Sequence, residues 1–221
     1  MKKALIIGAS GGIGQAVSQR LRGQGAAVTG LSRSADGFDL TDPDGVHRAL
    51  DAVGGSFDLI LVATGALEIN GAAPEKTVRA VSARAMMDQF ALNAVGPALI
   101  LGHAARLLPR ERRAVFAVLS ARVGSIGDNR LGGWISYRAA KAAVNQIVHT
   151  AAIELARTHK QAVCVALHPG TVKTEFTRKY LGRHPAVTAD EAAANLLNVI
   201  AQLTPTDTGG FFDWAGKPVP R

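Results

Sequence analysis

Lys3-Ala4-Leu5-Ile6-Ile7-Gly8-Ala9-Ser10-Gly11-Gly12-Ile13-Gly14 is the stretch whose reading decides the fold. A short apolar run ends in a string of glycines, and a helical pattern opens inside that string, over Gly12 to Arg22. Glycines at such a place let the chain turn tightly and let backbone N–H groups approach a pyrophosphate at a helix N-terminus, where the dipole favours negative charge. A glycine-rich string alone says little; a strand before it and a helix after it give it meaning. Gly8, Gly12 and Gly14 fit G-x-x-x-G-x-G, whereas Gly8, Gly11 and Gly14 fit G-x-x-G-x-x-G, and the glycine count does not separate the two templates. Ser10 and Ile13 belong to the same turn and are candidate cofactor contacts with the four glycines.

Beyond this turn, short runs rich in Val, Ile and Leu alternate with longer helical patterns, as they do when strands are buried on both faces of a parallel sheet. The runs predict strands at Lys3 to Gly8, Ala27 to Ser32, Leu59 to Thr64, Ala114 to Ser120, Val163 to His168 and Gly210 to Trp214, with a very short one at Phe38 to Leu40. Helices are predicted at Gly12 to Arg22, Asp44 to Val53, Met86 to Leu107, Tyr137 to Arg157 and Ala189 to Leu203. Repeated strand–helix–strand units imply right-handed crossovers. The expectation is therefore an α/β, Rossmann-type, doubly wound parallel sheet of about seven strands with helices on both faces, in one domain over residues 1–221. Gly71 to Val81 and Thr177 to Thr188 read as loops, the second placed where a lid could lie over a ligand.

Composition narrows the function classes. Hydrophobic residues make up 48% of the 221 and charged residues 19%, a profile of a packed protein rather than a disordered one. The lone cysteine, Cys164, rules out an internal disulfide and a cysteine metal cluster, and the six histidines have no metal-ligand spacing, so no metal is expected. The apolar stretch after Lys2-Lys3 is too short for a signal peptide and no run reaches the length of a membrane span, so a cytoplasmic protein is expected. The net charge of +8 invites phosphorylated ligands, but the basic residues are scattered, the densest group being Arg106, Arg110, Arg112 and Arg113 without interleaved aromatics; no nucleic-acid or membrane partner is expected.

The end of the second strand bears on cofactor choice. An acidic residue there would bond the ribose 2′-hydroxyl of NAD, whereas an arginine accommodates a 2′-phosphate. The chain has Leu31-Ser32-Arg33-Ser34, so Ser32 and Arg33 favour NADP over NAD. Farther on, Tyr137-Arg138-Ala139-Ala140-Lys141 places a phenol and an ammonium on one helix face. A nearby cation lowers a tyrosine pKa, and such a tyrosine can exchange a proton with a carbonyl or alcohol oxygen.

These features come in company: the Gly8 turn, Asp39-Leu40-Thr41-Asp42, Asn93-Ala94-Val95-Gly96-Pro97, Tyr137 to Lys141, and Pro169-Gly170-Thr171-Val172-Lys173-Thr174. In this order and spacing the chain resembles the short-chain dehydrogenase/reductase family over essentially its whole length. Ser120-Ala121-Arg122-Val123-Gly124-Ser125-Ile126 and the ending Gly209 to Lys217 resemble its short, single-domain members of the C-factor and sniffer type. The resemblance implies hydride transfer between nicotinamide and a small carbonyl or alcohol substrate, with Tyr137 as acid/base and Lys141 as its electrostatic partner and a ribose ligand. It implies that Asn93 holds a water in a proton relay, that Asp39 and Leu40 border the adenine, and that Val172 and Thr174 meet the carboxamide beside the Pro169-Gly170 turn. It further implies a homodimer or homotetramer through the Met86 to Leu107 and Tyr137 to Arg157 helices.

The chain departs from the family pattern twice. Where the family has Asn-Asn-Ala-Gly, it has Val62-Ala63-Thr64-Gly65, which leaves backbone contact from Ala63, Thr64 and Gly65 but no asparagine side chains. The family's catalytic serine falls on Ala121, with Ser120 before it and Ser125 beyond the glycine as the two substitutes. Strand alternation would point Ser120 to the other face unless the strand end twists. The rival reading is a non-catalytic protein that binds or signals through a dinucleotide; a sugar-nucleotide epimerase is weaker, since the chain lacks room for a C-terminal substrate domain. Trp134, Phe176 and Tyr180 suggest an apolar substrate pocket.

Overall fold

In the computed structural model, which describes residues 1–175, 177–181 and 185–220, six of the seven expected strands form. They are β1 (Lys3–Ile7), β2 (Ala27–Leu31), β3 (Leu59–Val62), β4 (Ala114–Leu119), β5 (Ala162–His168) and β6 (Phe211–Asp213), all parallel in the order β2-β1-β3-β4-β5-β6. The chain runs outward from β1 to β2 and then returns past β1 to β3, so the strand order reverses between β1 and β3. Ligands of doubly wound sheets bind outside the carboxyl ends of the strands at such a reversal.

Alternation along the strands builds two apolar layers. Leu5, Ile7, Ile60, Val62, Phe116, Val118, Cys164 and Ala166 face one side, under α3 (Pro43–Ala52), α5 (Gly96–Leu101), α6 (Ala104–Leu107) and α7 (Ile135–Leu155). Ala4, Ile6, Leu59, Leu61, Val115, Ala117, Val163 and Val165 face the other, under α1 (Gly12–Gly23) and α8 (Ala189–Gln202). Local chemistry fixes the helix ends: Pro43 stands in the first turn of α3, and the Thr188 hydroxyl accepts from the N–H of Glu191 to cap α8. Arg20 on α1 pairs with Asp190 at the start of α8 (2.7 Å), joining the two helices of that layer at the surface.

The expected strand at Phe38 to Leu40 is absent. Arg33–Asp36 instead turn into a short helix, α2, which Gly37 ends in the left-handed region (φ +66°), and the Phe38 N–H closes back on Ser32 O. Phe38 and Leu40 sink into the core, and β2 is the sheet edge.

The helix expected over Met86 to Leu107 starts earlier and comes in pieces: α4 (Ala83–Phe90), a π-turn at Ala91–Val95, α5, and α6. Pro97 has no N–H to offer the carbonyl four residues back, that of Asn93, so the regular ladder cannot pass through this point. The π-turn carries Asn93.

Candidate active site

The first turn closes on itself. Gly8 sits at φ +85°, its N–H bonds to Leu31 O (2.7 Å), and its carbonyl accepts from Gly11 (3.0 Å). A side chain at Gly8 would also meet Thr64 Cγ2 at 2.9 Å and the Ala63 carbonyl carbon at 3.0 Å, so the β1 and β3 ends need glycine to come this close. Across the cleft, a Cβ at Gly12 would lie 2.8 Å from Thr174 Cγ2. These approaches leave a groove whose floor is main chain, the shape that a pyrophosphate at the start of α1 requires.

The groove has two parts that share Gly11, Ala63, Thr64 and Gly65. One, of about 530 Å³, is lined by Gly8, Ser10, Ser32, Arg33, Asp39 and Leu40, the residues expected around the adenosine half. Ser34 Oγ donates to Ser10 Oγ (2.9 Å), bringing a second small hydroxyl beside the exposed Arg33. Ser32 differs from the expectation of a phosphate contact: its hydroxyl caps α2 by accepting from Ala35 N, and it also bonds Asp36 Oδ2. Asp36 likewise receives the Ser32 N–H (2.8 Å), so a carboxylate does stand at the end of β2, folded back by the short helix. Asp39 Oδ1 accepts from the N–H and hydroxyl of Thr41, which hold the carboxyl below its ordinary range and rigidify the turn under the groove.

The other part, of about 280 Å³, is lined by Ile13, Ser120, Ala121, Tyr137, Lys141, His168, Pro169, Gly170, Val172 and Thr174. Tyr137 and Lys141 enter from the first turns of α7 and are 4% and 3% exposed, so both polar groups face the cleft rather than solvent. Lys141 Nζ donates to Leu119 O (3.0 Å) and lies 5.7 Å from the Tyr137 ring centre. The expected lowering of the tyrosine pKa is not found in this cleft: burial pushes the phenol well up and holds the Lys141 ammonium down to about 8. Desolvation of a closed-in phenol outweighs a cation whose proton is already directed at a carbonyl.

Of the two candidate serines, only Ser120 lines the cavity. Its Oγ is buried without a hydrogen-bond partner. Alternation sets Ser120 with Phe116 and Val118 on the face covered by α7, the helix that brings Tyr137 and Lys141. Ser125 is elsewhere: its hydroxyl donates to Pro220 O and accepts from Asp128 N, pinning the C-terminal strand region to the loop after β4. Thr64 Oγ1, between the two parts of the groove, is a second buried hydroxyl without a partner. Unpaired buried hydroxyls are rare enough to need a reason, and groups awaiting a polar ligand are one.

Asn93 and Gly14 do not line the groove. Asn93 is fully buried, and its amide donates to Ala66 O (3.0 Å) and Gln89 Oε1 (2.7 Å) while accepting from Ala66 N (3.3 Å). The side chain expected to hold a water therefore ties down the loop after β3, the loop that lacks the family's asparagines. Gly14 packs against the Gly8 backbone and shapes the turn from behind.

Two contributors, Glu68 and Glu75, have no counterpart in the sequence reading. Glu68 accepts from Lys179 Nζ (2.7 Å) and Tyr180 Oη (2.6 Å), clasping the loop after β3 to the segment beyond β5. Tyr180 sets its ring edge-on to Trp134 (5.4 Å), which is edge-on to Tyr137 (6.3 Å), so two of the three expected aromatics stack behind the cavity tyrosine without lining the cavity themselves; Phe176 lies outside the described residues. Glu75, buried in a stretch read as loop, bonds the hydroxyl and N–H of Ser136, and its carbonyl accepts from Trp134 N, fixing the start of α7. Neither of the two has a local sequence signal, since each joins segments 60 or more residues apart. Among the described residues no group of three or more His, Cys, Asp or Glu could hold a metal, and no helix is long and apolar enough to cross a membrane.

The chain is similar to known proteins in sequence and in fold. A family model described as short chain dehydrogenase matches residues 35–183. The 1-hydroxy-2-glutathionyl-2-methyl-3-butene dehydrogenase of Rhodococcus sp. (strain AD45) is 31% identical over 227 residues, spanning 96% of each chain. The C-signal protein of Myxococcus xanthus is 33% identical over 138 residues, 61% of this chain and 78% of that one. Among solved structures, an NADPH-bound carbonyl reductase from chicken fatty liver superposes with a TM-score of 0.85 at 22% identity, covering 100% of this chain and 94% of the other. The carbonyl reductase Sniffer of D. melanogaster gives 0.81 at 19%, covering 100% of both. On the family match and the near full-length relative, the chain belongs to the short-chain dehydrogenase family.

Proposed function

We propose that the protein is an NADP-dependent oxidoreductase that interconverts a carbonyl and an alcohol, with Tyr137 as the acid/base. The observation that carries this reading is the convergence of a buried phenol, a buried ammonium and an unpartnered serine hydroxyl on one cavity that continues into a glycine-floored groove. Gly8, Ser10, Gly11, Gly12 and Ile13 would hold the pyrophosphate side of the dinucleotide, Arg33 with Ser10 and Ser34 the 2′-phosphate, and Pro169, Gly170, Val172 and Thr174 the nicotinamide end. When bound, the nicotinamide supplies or accepts the hydride. The chain's own residues do the rest: Tyr137 holds the proton for the substrate oxygen, Lys141 orients the site from beneath it, and Ser120 offers a hydroxyl to the oxygen as charge develops. Trp134 and Tyr180, stacked edge-on beyond Tyr137, would give a bound substrate an apolar wall.

The test is NADPH oxidation against a panel of aldehydes, ketones and quinones, with Tyr137→Phe beside the wild type. Turnover that falls by orders of magnitude in Tyr137→Phe is the expected result. Cofactor choice has its own measurement, because Arg33→Ala should weaken NADPH far more than NADH, and equal losses refute the assignment.

A second reading, a dinucleotide-binding or signalling protein without catalysis, is favoured by Ala121 at the family's serine position. Tight NADPH binding with no turnover, and no change in Tyr137→Phe, would select it. We further infer a homodimer through α4, the π-turn and α7, where Met87, Val95 and Ile153 are 61%, 48% and 54% exposed. Light scattering that finds a monomer at micromolar concentration refutes this.

A further inference from the structure

His168 ends β5 and reads, from sequence, as an ordinary strand-end residue. Its surroundings are not ordinary. In the register of the sheet Val118 pairs with Ala166 and Leu119 with Leu167, and Ser120 N–H donates to Leu167 O (2.8 Å), so Ser120 stands directly beside His168. On the other side His168 pairs with Asp213 of β6. All three residues fall on the parity of Val118, Ala166 and Phe211, the face that α7 covers. A serine, a histidine and an aspartate thus lie abreast across three neighbouring strands, at the carboxyl edge of the sheet.

Two atoms of this row are buried and lack any partner: Ser120 Oγ and His168 Nδ1. Both residues line the cavity that holds Tyr137 and Lys141. One orphaned polar atom can be a local accident; two on adjacent residues are complementary in chemistry, and a change of the Ser120 side-chain rotamer is the movement that would bring its Oγ to the imidazole. Asp213 is not free to take the imidazole fully, because its Oδ1 already accepts from the N–H groups of Ala215 and Lys217. Burial and the charge of Arg122 hold the His168 pKa down to about 4, against the opposing pull of Asp213. With Tyr137, Lys141 and Glu175 the other titratable groups on the cavity wall, and Arg122 and Asp213 acting on the ring, the imidazole is neutral at physiological pH and carries one proton.

We propose that His168 is a positioning residue for Ser120: the imidazole donates from Nδ1 to Ser120 Oγ, which leaves the serine's own proton directed at the substrate oxygen. The pair thereby takes over the task of the hydroxyl missing at Ala121. No net proton moves through it; the proton that balances hydride transfer still comes from Tyr137. The inference rests on the oxidoreductase reading above.

The tautomer gives a measurement independent of turnover. In protein labelled with ¹⁵N-histidine, the expected His168 signal is the Nδ1–H form, shifted in Ser120→Ala; an Nε2–H form, or a signal indifferent to Ser120→Ala, overturns the proposal. Kinetics supply the second arm. His168→Leu should lower kcat about tenfold, the size of one hydrogen bond, with KM and NADPH affinity nearly unchanged, and His168→Asn, which keeps a donor at the same place, should recover most of it. Because His168 acts through Ser120, His168→Leu should cost less than twofold in a Ser120→Ala background. Equal losses in both backgrounds, or a loss that NADPH affinity follows, assign His168 a structural role and refute the proposal. A wild type inert toward the whole panel, while still binding NADPH, refutes instead the oxidoreductase reading and with it the catalytic half of this one, leaving the tautomer to decide the pair.

Discussion

Gly14→Ala sets two physical effects against each other. Gly14 lies in α1, and alanine is favoured over glycine inside a helix by roughly 0.5–1 kcal/mol, so propensity alone predicts a more stable protein. Packing predicts the opposite. A Cβ at Gly14 would overlap the Gly8 carbonyl oxygen, with the carbonyl carbon at 2.9 Å and Ala9 Cα at 3.3 Å, and all three are backbone that no rotamer can move aside. Overpacking of this kind costs about 1–3 kcal/mol. With three backbone atoms in the way the cost lies at the upper end of that range, and the balance is a loss of up to about 2.5 kcal/mol, or up to roughly 10 °C in Tm for a chain of this length. Relief requires Gly8 to retreat from α1, yet Gly8 is held by Leu31 O and itself holds Gly11, so the N–H groups of the turn move with it. NADPH affinity should therefore fall by tenfold or more. Thermal melts and NADPH fluorescence titration read both numbers. Gly23→Ala is the control, since it is in the same helix with nothing within 4 Å of its Cβ; it should stabilise by the propensity term and leave NADPH binding alone. A Gly14→Ala protein that melts at or above wild type and binds NADPH equally well refutes the reasoning.

Ser120→Ala should lower kcat by about 10²–10³-fold if its hydroxyl meets the developing charge, whereas Ser125→Ala should lower Tm and leave kcat close to wild type; the reverse pattern in steady-state kinetics and melts would exchange their roles. Lys141 titrates near 8 in the folded protein and near 10.5 unfolded, so the unfolded chain binds more protons between these values and stability should rise with pH from 8 to 10, before the raised Tyr137 pKa turns the trend down above 10. Chemical denaturation of Lys141→Met should lack that rise, by about 1–3 kcal/mol, and an unchanged pH slope contradicts the assignment. Glu68→Ala removes the clasp on Lys179 and Tyr180; exposed contacts of this kind add little to stability, so stopped-flow NADPH release should quicken up to about fivefold with Tm nearly constant, and an unchanged rate means the clasp does not gate the groove.

What could be read from sequence follows a physical division. Apolar period 2 against 3.6 is written locally, so β1, β3, β4, β5 and four helices were predicted close to where they stand, and the Gly8 turn with them. The failures are places where a local signal met a distant partner. Phe38 to Leu40 carries a strand-like alternation, but the sheet offers it no neighbour once α2 has turned the chain, and its apolar residues serve the core instead. The long helix pattern from Met86 ignored Pro97, whose missing N–H converts the middle into a π-turn and redirects Asn93 toward Ala66. Asp36 lies five residues beyond the end of β2, and no local pattern marks it as the carboxylate that α2 brings back to Ser32. Clasps such as Glu68 with Tyr180 and Glu75 with Ser136 exist only once the fold has closed.

The cleft's electrostatics tie these pieces into one argument. Burial moves both α7 groups toward their neutral forms, raising the Tyr137 phenol and lowering the Lys141 ammonium, and it does so because the same apolar layer that holds α7 against β4 and β5 excludes water from its first turn. A phenol kept protonated is poised to give a proton to a carbonyl oxygen; removing a proton from an alcohol needs the phenolate that burial opposes. The same dry environment magnifies what a single hydroxyl contributes, because a donor aimed at a developing charge is worth more where no water competes. On the oxidoreductase reading proposed above, the alanine at Ala121 is for that reason a large deficit in this cleft, and the unpaired atoms of Ser120 and His168 lie on the cavity wall where that deficit falls.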